Sequence, residues 1–141
     1  MAELRERPNQ PIWRAVGFEK STIFEEVTNG FEVGIYQRVL NRLNITQAEF
    51  IRGTDIHRST LTKKLKSHTR FSKEESDKIY RYVQIIKLAD EYFADEEKAK
   101  AWLNRPTFAL EGKKPIELIQ TTAGFEEVRL LIERLHEGVY L

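Results

Sequence analysis

Arg58, Ser59, Thr62 and Lys63 are hydrogen-bond donors spaced so that a helix would set them along one exposed side. Donors of this kind suit base-pair edges in a major groove, where Arg and Lys meet guanine and Ser or Thr can bond any base. Lys64, Lys66 and Arg70 extend the run as charges suited to phosphate oxygens. Gln47, at the start of the preceding segment, is placed to donate to a phosphate beside helix N-terminal amides. Between Asn44 and Lys73, seven Lys or Arg stand against two acids, a local +5 in a chain of 141 residues whose total is +1. Such an island marks either a polyanion partner or a solvated charged face, and charge alone leaves both open. Neutralising about five phosphates would give a log–log salt slope near −4 to −5.

The remaining chemistry-bearing residues do not assemble into a catalytic set. The three His (His57, His68 and His136) are far apart in sequence and lack a metal-ligand spacing. Cys is absent, which excludes disulfides and Cys-based zinc sites and fits a reducing compartment. Glu96-Glu97 and Glu126-Glu127 read as acids in the first turns of helices, where the dipole favours them. We therefore expect no enzyme, no cofactor and no metal. No apolar run approaches the roughly 20 residues that span a bilayer. The opening MAELRERPNQP lacks the apolar core of a signal peptide, so cytoplasmic residence without a membrane partner is expected.

Apolar residues make up 40% of the chain and charged residues 32%, enough for one domain or two small coupled ones. Pro8 and Pro11 oppose a continuous helix at the start, although Trp13, Val16 and Phe18 could reach the core. Ser21 is a cap for a short helix over 22–28 that stops at Asn29-Gly30, and a second helix is expected from Phe31 to Leu43. Thr46 and Glu49 form a capping-box pattern before a short helix carrying Phe50 and Ile51. Gly53-Thr54-Asp55 reads as a turn, Ile56 as a buried anchor, and Arg58 to Ser67 as the next helix, burying Leu61 and Leu65. Two short helices and a tight turn, the second bearing the donors, make a helix-turn-helix pattern. Asp55 stands where Gly is usual in the turn, and Ile51 where a small residue is usual. Ser72 and Glu75 repeat the capping box ahead of a helix running to Phe93. Its two apolar stripes (Ile79, Val83, Ile86 and Phe93; Tyr82, Ile85, Ala89 and Tyr92) require burial from two sides, which makes it a spine. Helices over 95–104, over 115–119 and from Thr121 or Thr122 to His136 follow, with Gly138 as the stop and Val139-Tyr140-Leu141 as an apolar tail. The chain is read as all-α.

At this level of detail the sequence resembles the Xre/MbcA/ParS antitoxins of bacterial toxin–antitoxin pairs. The likeness rests on IHRSTLTKK (56–64) and FSKEESDKIYR (71–81), with Lys63-Lys64 as the family's basic pair. Phe71 and Lys78 stand where the family has Leu and Arg. It rests further on Ala99, Trp102-Leu103, Pro106, Leu110, Gly112, Pro115, Leu118, Thr121, Gly124, Val128, Leu135 and Gly138-Val139-Tyr140, and covers about residues 22–141. The resemblance implies a helix-turn-helix domain over 22–93 joined by the long shared helix to a toxin-binding domain over 94–141, with residues 1–21 of no assigned role. It implies a RES-domain toxin partner that consumes NAD or ADP-ribosylates, a homodimer, and binding to operator DNA that represses the pair's own operon.

Glu127, Arg134, Val139, Tyr140 and Leu141 are the candidate toxin contacts, the tail entering the toxin's active site. Trp102, Leu110 and Leu118 read as core, Gly112 and Gly124 as backbone punctuation, and Thr121 as a cap. The rival reading is a stand-alone helix-turn-helix regulator whose C-terminal half dimerises. An antitoxin that has lost DNA binding also stays open, because of Ile51 and Asp55.

Overall fold

A computed structural model describes residues 23–138. Trp13, Val16, Phe18, Ser21 and the Val139-Tyr140-Leu141 tail lie outside the described residues. Within them the fold is all-α, as expected: α1 (Ile23–Asn29), α2 (Ile35–Leu43), α3 (Gln47–Thr54), α4 (Arg58–Ser67), α5 (Lys73–Phe93), α6 (Glu96–Leu103), α7 (Pro115–Leu118) and α8 (Thr122–His136). A 3₁₀ turn, Phe108–Leu110, sits between α6 and α7, beside an isolated bridge between Thr107 and Lys113.

Helix α5 organises the molecule. The side chains of Ile79, Tyr82, Val83, Ile85, Ile86 and Ala89 are all buried, so both apolar stripes are covered. The N-terminal helices α1, α2 and α3 pack against it, and so do α6 and α8. The hydrophobic core is consequently continuous from Phe31 and Phe50 through the spine to Val128 and Ile132. Burial of large apolar side chains contributes about 1.5–3 kcal/mol each, so this shared core outweighs any single polar contact in holding the two ends together.

Polar ties cross the same seam. The Arg42 guanidinium of α2 pairs with the Asp90 carboxylate of α5, and its Nε lies 3.9 Å from Glu96 at the start of α6. Burial pushes the Asp90 carboxyl above its ordinary value, against the opposing pull of Arg42. Asn104 donates to the Leu43 carbonyl at the end of α2 (2.9 Å) and to the Lys100 carbonyl (2.9 Å). Arg81 reaches from α5 to the Gln120 carbonyl (3.0 Å) and to Thr122 Oγ1 (3.1 Å).

Two helix boundaries and the role of one glycine differ from expectation. Helix α2 begins at Ile35, not Phe31. The Phe31 N–H donates to the buried Ser76 Oγ of α5 (2.8 Å) and its carbonyl accepts from the Phe71 N–H (2.9 Å) just ahead of that helix, so this backbone is bonded elsewhere and does not join α2. Gly53 and Thr54 lie inside α3, and the turn is carried by Asp55 alone at φ 60°. Gly124 is no punctuation mark. It sits in the first turn of α8, where a Cβ would fall 2.0 Å from the Leu118 carbonyl oxygen, so the missing side chain is what lets α7 and α8 meet. Gly112, by contrast, has φ 84° and open space around it, as a turn residue should.

Replacing Gly124 with Ala must move backbone. A loss of roughly 2–3 kcal/mol is expected, read as a lowered urea midpoint at unchanged slope. A loss below about 0.5 kcal/mol would contradict this packing.

Candidate nucleic-acid and protein interfaces

Helix α3 starts with a complete capping box. Thr46 Oγ1 accepts from the Glu49 N–H (3.1 Å), and Glu49 Oε1 accepts from the Thr46 N–H (2.8 Å). The left-handed turn at Asp55 and the buried Ile56 then redirect the chain into α4. Leu61 faces the core, which turns Arg58, Ser59, Thr62, Lys63 and Lys66 outward. The five exposed donors expected on this helix thus share its solvent side. Lys63 and Lys66 form no ion pair among the described residues.

Gln47 is more specialised than a free phosphate donor. Its Nε2 donates to the Tyr36 hydroxyl (3.1 Å), while its Oε1 accepts from Arg58 Nη1 (2.7 Å). Tyr36 is itself buried, in edge contact with the Phe50 ring at 4.9 Å. A chain of contacts from the core through Tyr36 and Gln47 therefore fixes where Arg58 presents its guanidinium.

Lys64 and Arg70 are bonded to groups of the domain itself, Lys64 half-buried and Arg70 exposed. Lys64 Nζ donates to the Arg70 carbonyl (2.9 Å), lies 3.1 Å from Glu75 Oε1, and sits 5.9 Å above the Phe71 ring. Arg70 donates to the Gly30 carbonyl (2.7 Å) and to Glu32 (3.1 Å). Both cations close the α4–α5 connection onto its neighbours, a role invisible in a one-dimensional charge count. The small residue expected at Ile51 is supplied instead by Gly53. A Cβ there would fall 1.7 Å from the Tyr82 hydroxyl oxygen. Ile51 is half-buried against the core. Burial pushes the Tyr82 hydroxyl up to about 12, so it stays protonated at the contact.

At the other end, α8 turns Ala123, Glu127, Leu130 and Arg134 outward at spacings of one helical face. Glu127 and Arg134 form no ion pair among the described residues, whereas Arg129 binds both Glu126 (2.6 Å) and Glu133 (2.7 Å). The expectation of first-turn acids at Glu126-Glu127 is corrected. The helix starts at Thr122, no acid lies in its first turn, and Thr121 Oγ1 caps it by accepting from the Gly124 N–H (3.0 Å). Trp102 and Leu110 are core, as expected, and Leu118 packs against it. Val139, Tyr140 and Leu141, the other candidate contacts, lie outside the described residues. Phe108 drew no attention in the sequence, yet it is 92% exposed.

Among the described residues, no group of three His, Asp or Glu is arranged to hold a metal ion, and no helix is long and apolar enough to cross a membrane.

A donor-bearing second helix set on a core shared with a second helical unit defines a helix-turn-helix protein with an added binding module. Residues 24–84 match the antitoxin Xre-like helix-turn-helix domain, and residues 88–138 match the antitoxin Xre/MbcA/ParS C-terminal toxin-binding domain. The chain is 32% identical to an antitoxin Xre of Yersinia enterocolitica over 92% of its own length and 90% of the relative's. It is 27% identical to an antitoxin Xre of Photorhabdus laumondii, over 93% and 91% of the two chains. It is also 27% identical to one of Pseudomonas putida, over 82% and 72%. The chain belongs to the Xre/MbcA/ParS antitoxin family.

The Lys64–Glu75 tie has a pH signature. Burial alone would raise the Glu75 carboxyl, but the Ser72 backbone N–H and Lys64 outweigh it and hold it below its ordinary 4.5. A depressed folded-state value stabilises the fold above the unfolded value, and that stabilisation is lost as pH falls through the folded one. Glu75→Gln keeps the capping geometry but loses the charge. It should be less stable than the wild type by about 0.5–1 kcal/mol at neutral pH, and the gap should narrow as pH falls below the ordinary 4.5. A gap that persists in urea titrations at the lower pH would contradict the assignment.

Proposed function

We propose that this antitoxin neutralises a RES-domain toxin, one that consumes NAD or ADP-ribosylates, and represses its own operon by binding operator DNA. Residues 22–93 would read the DNA and residues 94–141 would hold the toxin, in a cytoplasmic homodimer without catalytic activity of its own. The observation that carries the reading is the outward donor face of α4, with Arg58 fixed by Gln47, built on the core that also carries the toxin-binding region. Base contacts fall to Arg58, Ser59, Thr62 and Lys63, and phosphate contact to Lys66. Gln47, Lys64 and Arg70 add phosphate contacts only by giving up part of their internal bonding. On the toxin side, Glu127 and Arg134 flank an exposed Leu130, and the tail Val139-Tyr140-Leu141 supplies an apolar plug for the active site. Asp55 already occupies its left-handed turn, which supports retained DNA binding over its loss.

A separation-of-function pair tests this. With the adjacent toxin gene co-expressed, the Arg58→Ala, Lys63→Ala double variant should still restore growth, while its affinity for the operon's promoter DNA falls at least about tenfold. Deletion of residues 139–141 should keep salt-dependent DNA binding and lose rescue. Full rescue by the deletion would remove the tail from the mechanism. A stand-alone regulator would bind DNA and rescue nothing.

A further inference from the structure

The segment from Arg105 to Lys114 folds into a small, rigid finger. Its backbone closes on itself: Thr107 N–H to the Lys113 carbonyl (3.1 Å), Leu110 N–H and Gly112 N–H to the Thr107 carbonyl (3.0 and 2.9 Å), Glu111 N–H to the Phe108 carbonyl (2.9 Å), and Lys113 N–H to the Leu110 carbonyl (3.1 Å). The Leu110 side chain is buried and pins the finger to the core. Glu111 and Gly112 both take left-handed backbone to complete the turn. All this geometry leaves the Phe108 ring 92% exposed, more than Phe24 at 75% or Leu130 at 41%. A single exposed apolar residue is ordinary on a surface. A whole aromatic ring held out by a locked turn is different, because its ordering cost is met before any partner arrives.

The charges around it are one-sided. Arg105, Lys113 and Lys114 flank the ring in sequence against Glu111 alone, and none of the three cations forms an ion pair among the described residues. An exposed aromatic anchor with exposed cations on either side of it in the chain suits an apolar pocket edged with carboxylates. Aromatic and Arg side chains are also the residues that dominate binding energy at protein interfaces. The finger lies within the region that matches the toxin-binding domain.

We infer that Phe108 is an anchor for the toxin, inserting into an apolar pocket rimmed by acidic side chains, with Arg105, Lys113 and Lys114 steering the approach. This rests on the antitoxin reading above and adds a contact separate from the α8 face and the C-terminal tail.

The test uses the full chain and the purified toxin encoded beside it. Phe108→Ala should weaken binding at least tenfold, mainly through faster dissociation. Phe108→Leu should recover most of the affinity. Arg105→Glu with Lys113→Glu should slow association and weaken its dependence on salt. Since the ring touches little of its own chain, Phe108→Ala should shift the melting temperature by less than about 2 °C. Phe108→Ala affinity within about threefold of wild type overturns the inference while leaving the antitoxin reading intact. So does a large fall in melting temperature, which would mean the ring is covered by its own chain. A change in self-association at unchanged toxin affinity, or a loss of promoter DNA affinity instead, likewise assigns the finger elsewhere. A wild-type chain that does not bind the toxin takes down both readings.

Discussion

Helix α5 is apolar on two sides, and the rest of the molecule is arranged by that fact. A single helix of 21 residues cannot bury Val83 and Ile86 and also Tyr82, Ile85 and Ala89 against one neighbour. It needs cover from more than one direction, and α1, α2, α3, α6 and α8 all pack against it. The helices of the helix-turn-helix domain and of the toxin-binding domain are therefore walls of one core rather than beads on a linker. The Arg42–Asp90 pair, Asn104 on the Leu43 carbonyl and Arg81 on the Gln120 carbonyl then fix the relative position of walls that hydrophobic burial has already joined.

That arrangement suits a protein that acts by occupying surfaces. Each proposed working surface is carried by elements whose geometry is settled beforehand: α4 by Leu61 and the Asp55 turn, Arg58 by Gln47 and Tyr36, Phe108 by the closed turn beneath it. Preorganisation of this kind lowers the entropy cost of binding.

Much of this was legible in the residues. The capping pairs Thr46–Glu49 and Ser72–Glu75 announced α3 and α5, the donor run announced α4, and Pro115 and Thr121 announced the last two helices. The misreadings share one cause, which is that local signals carry no information about distant partners. Phe31 looked helical until Ser76 and Phe71, some 40 or more positions away, took its backbone groups. The internal bonds of Lys64 and Arg70 were hidden because sequence counts charges without showing which are already paired. Gly53 and Gly124 looked like breaks because a glycine that admits a neighbour reads the same as one that ends a helix. Phe108 was silent because exposure cannot be inferred from an isolated aromatic between a Pro and a Gly.

The central claim is that a two-sided spine makes the DNA-facing and toxin-facing halves one cooperative body. Amide hydrogen exchange under native conditions, followed against low denaturant, tests it most directly. The slowest amides of α3 and α8 should open with the same free energy and the same denaturant dependence, because neither half can leave α5 uncovered alone. Exchange of α3 through a separate opening of lower free energy, with α8 still protected, would contradict it.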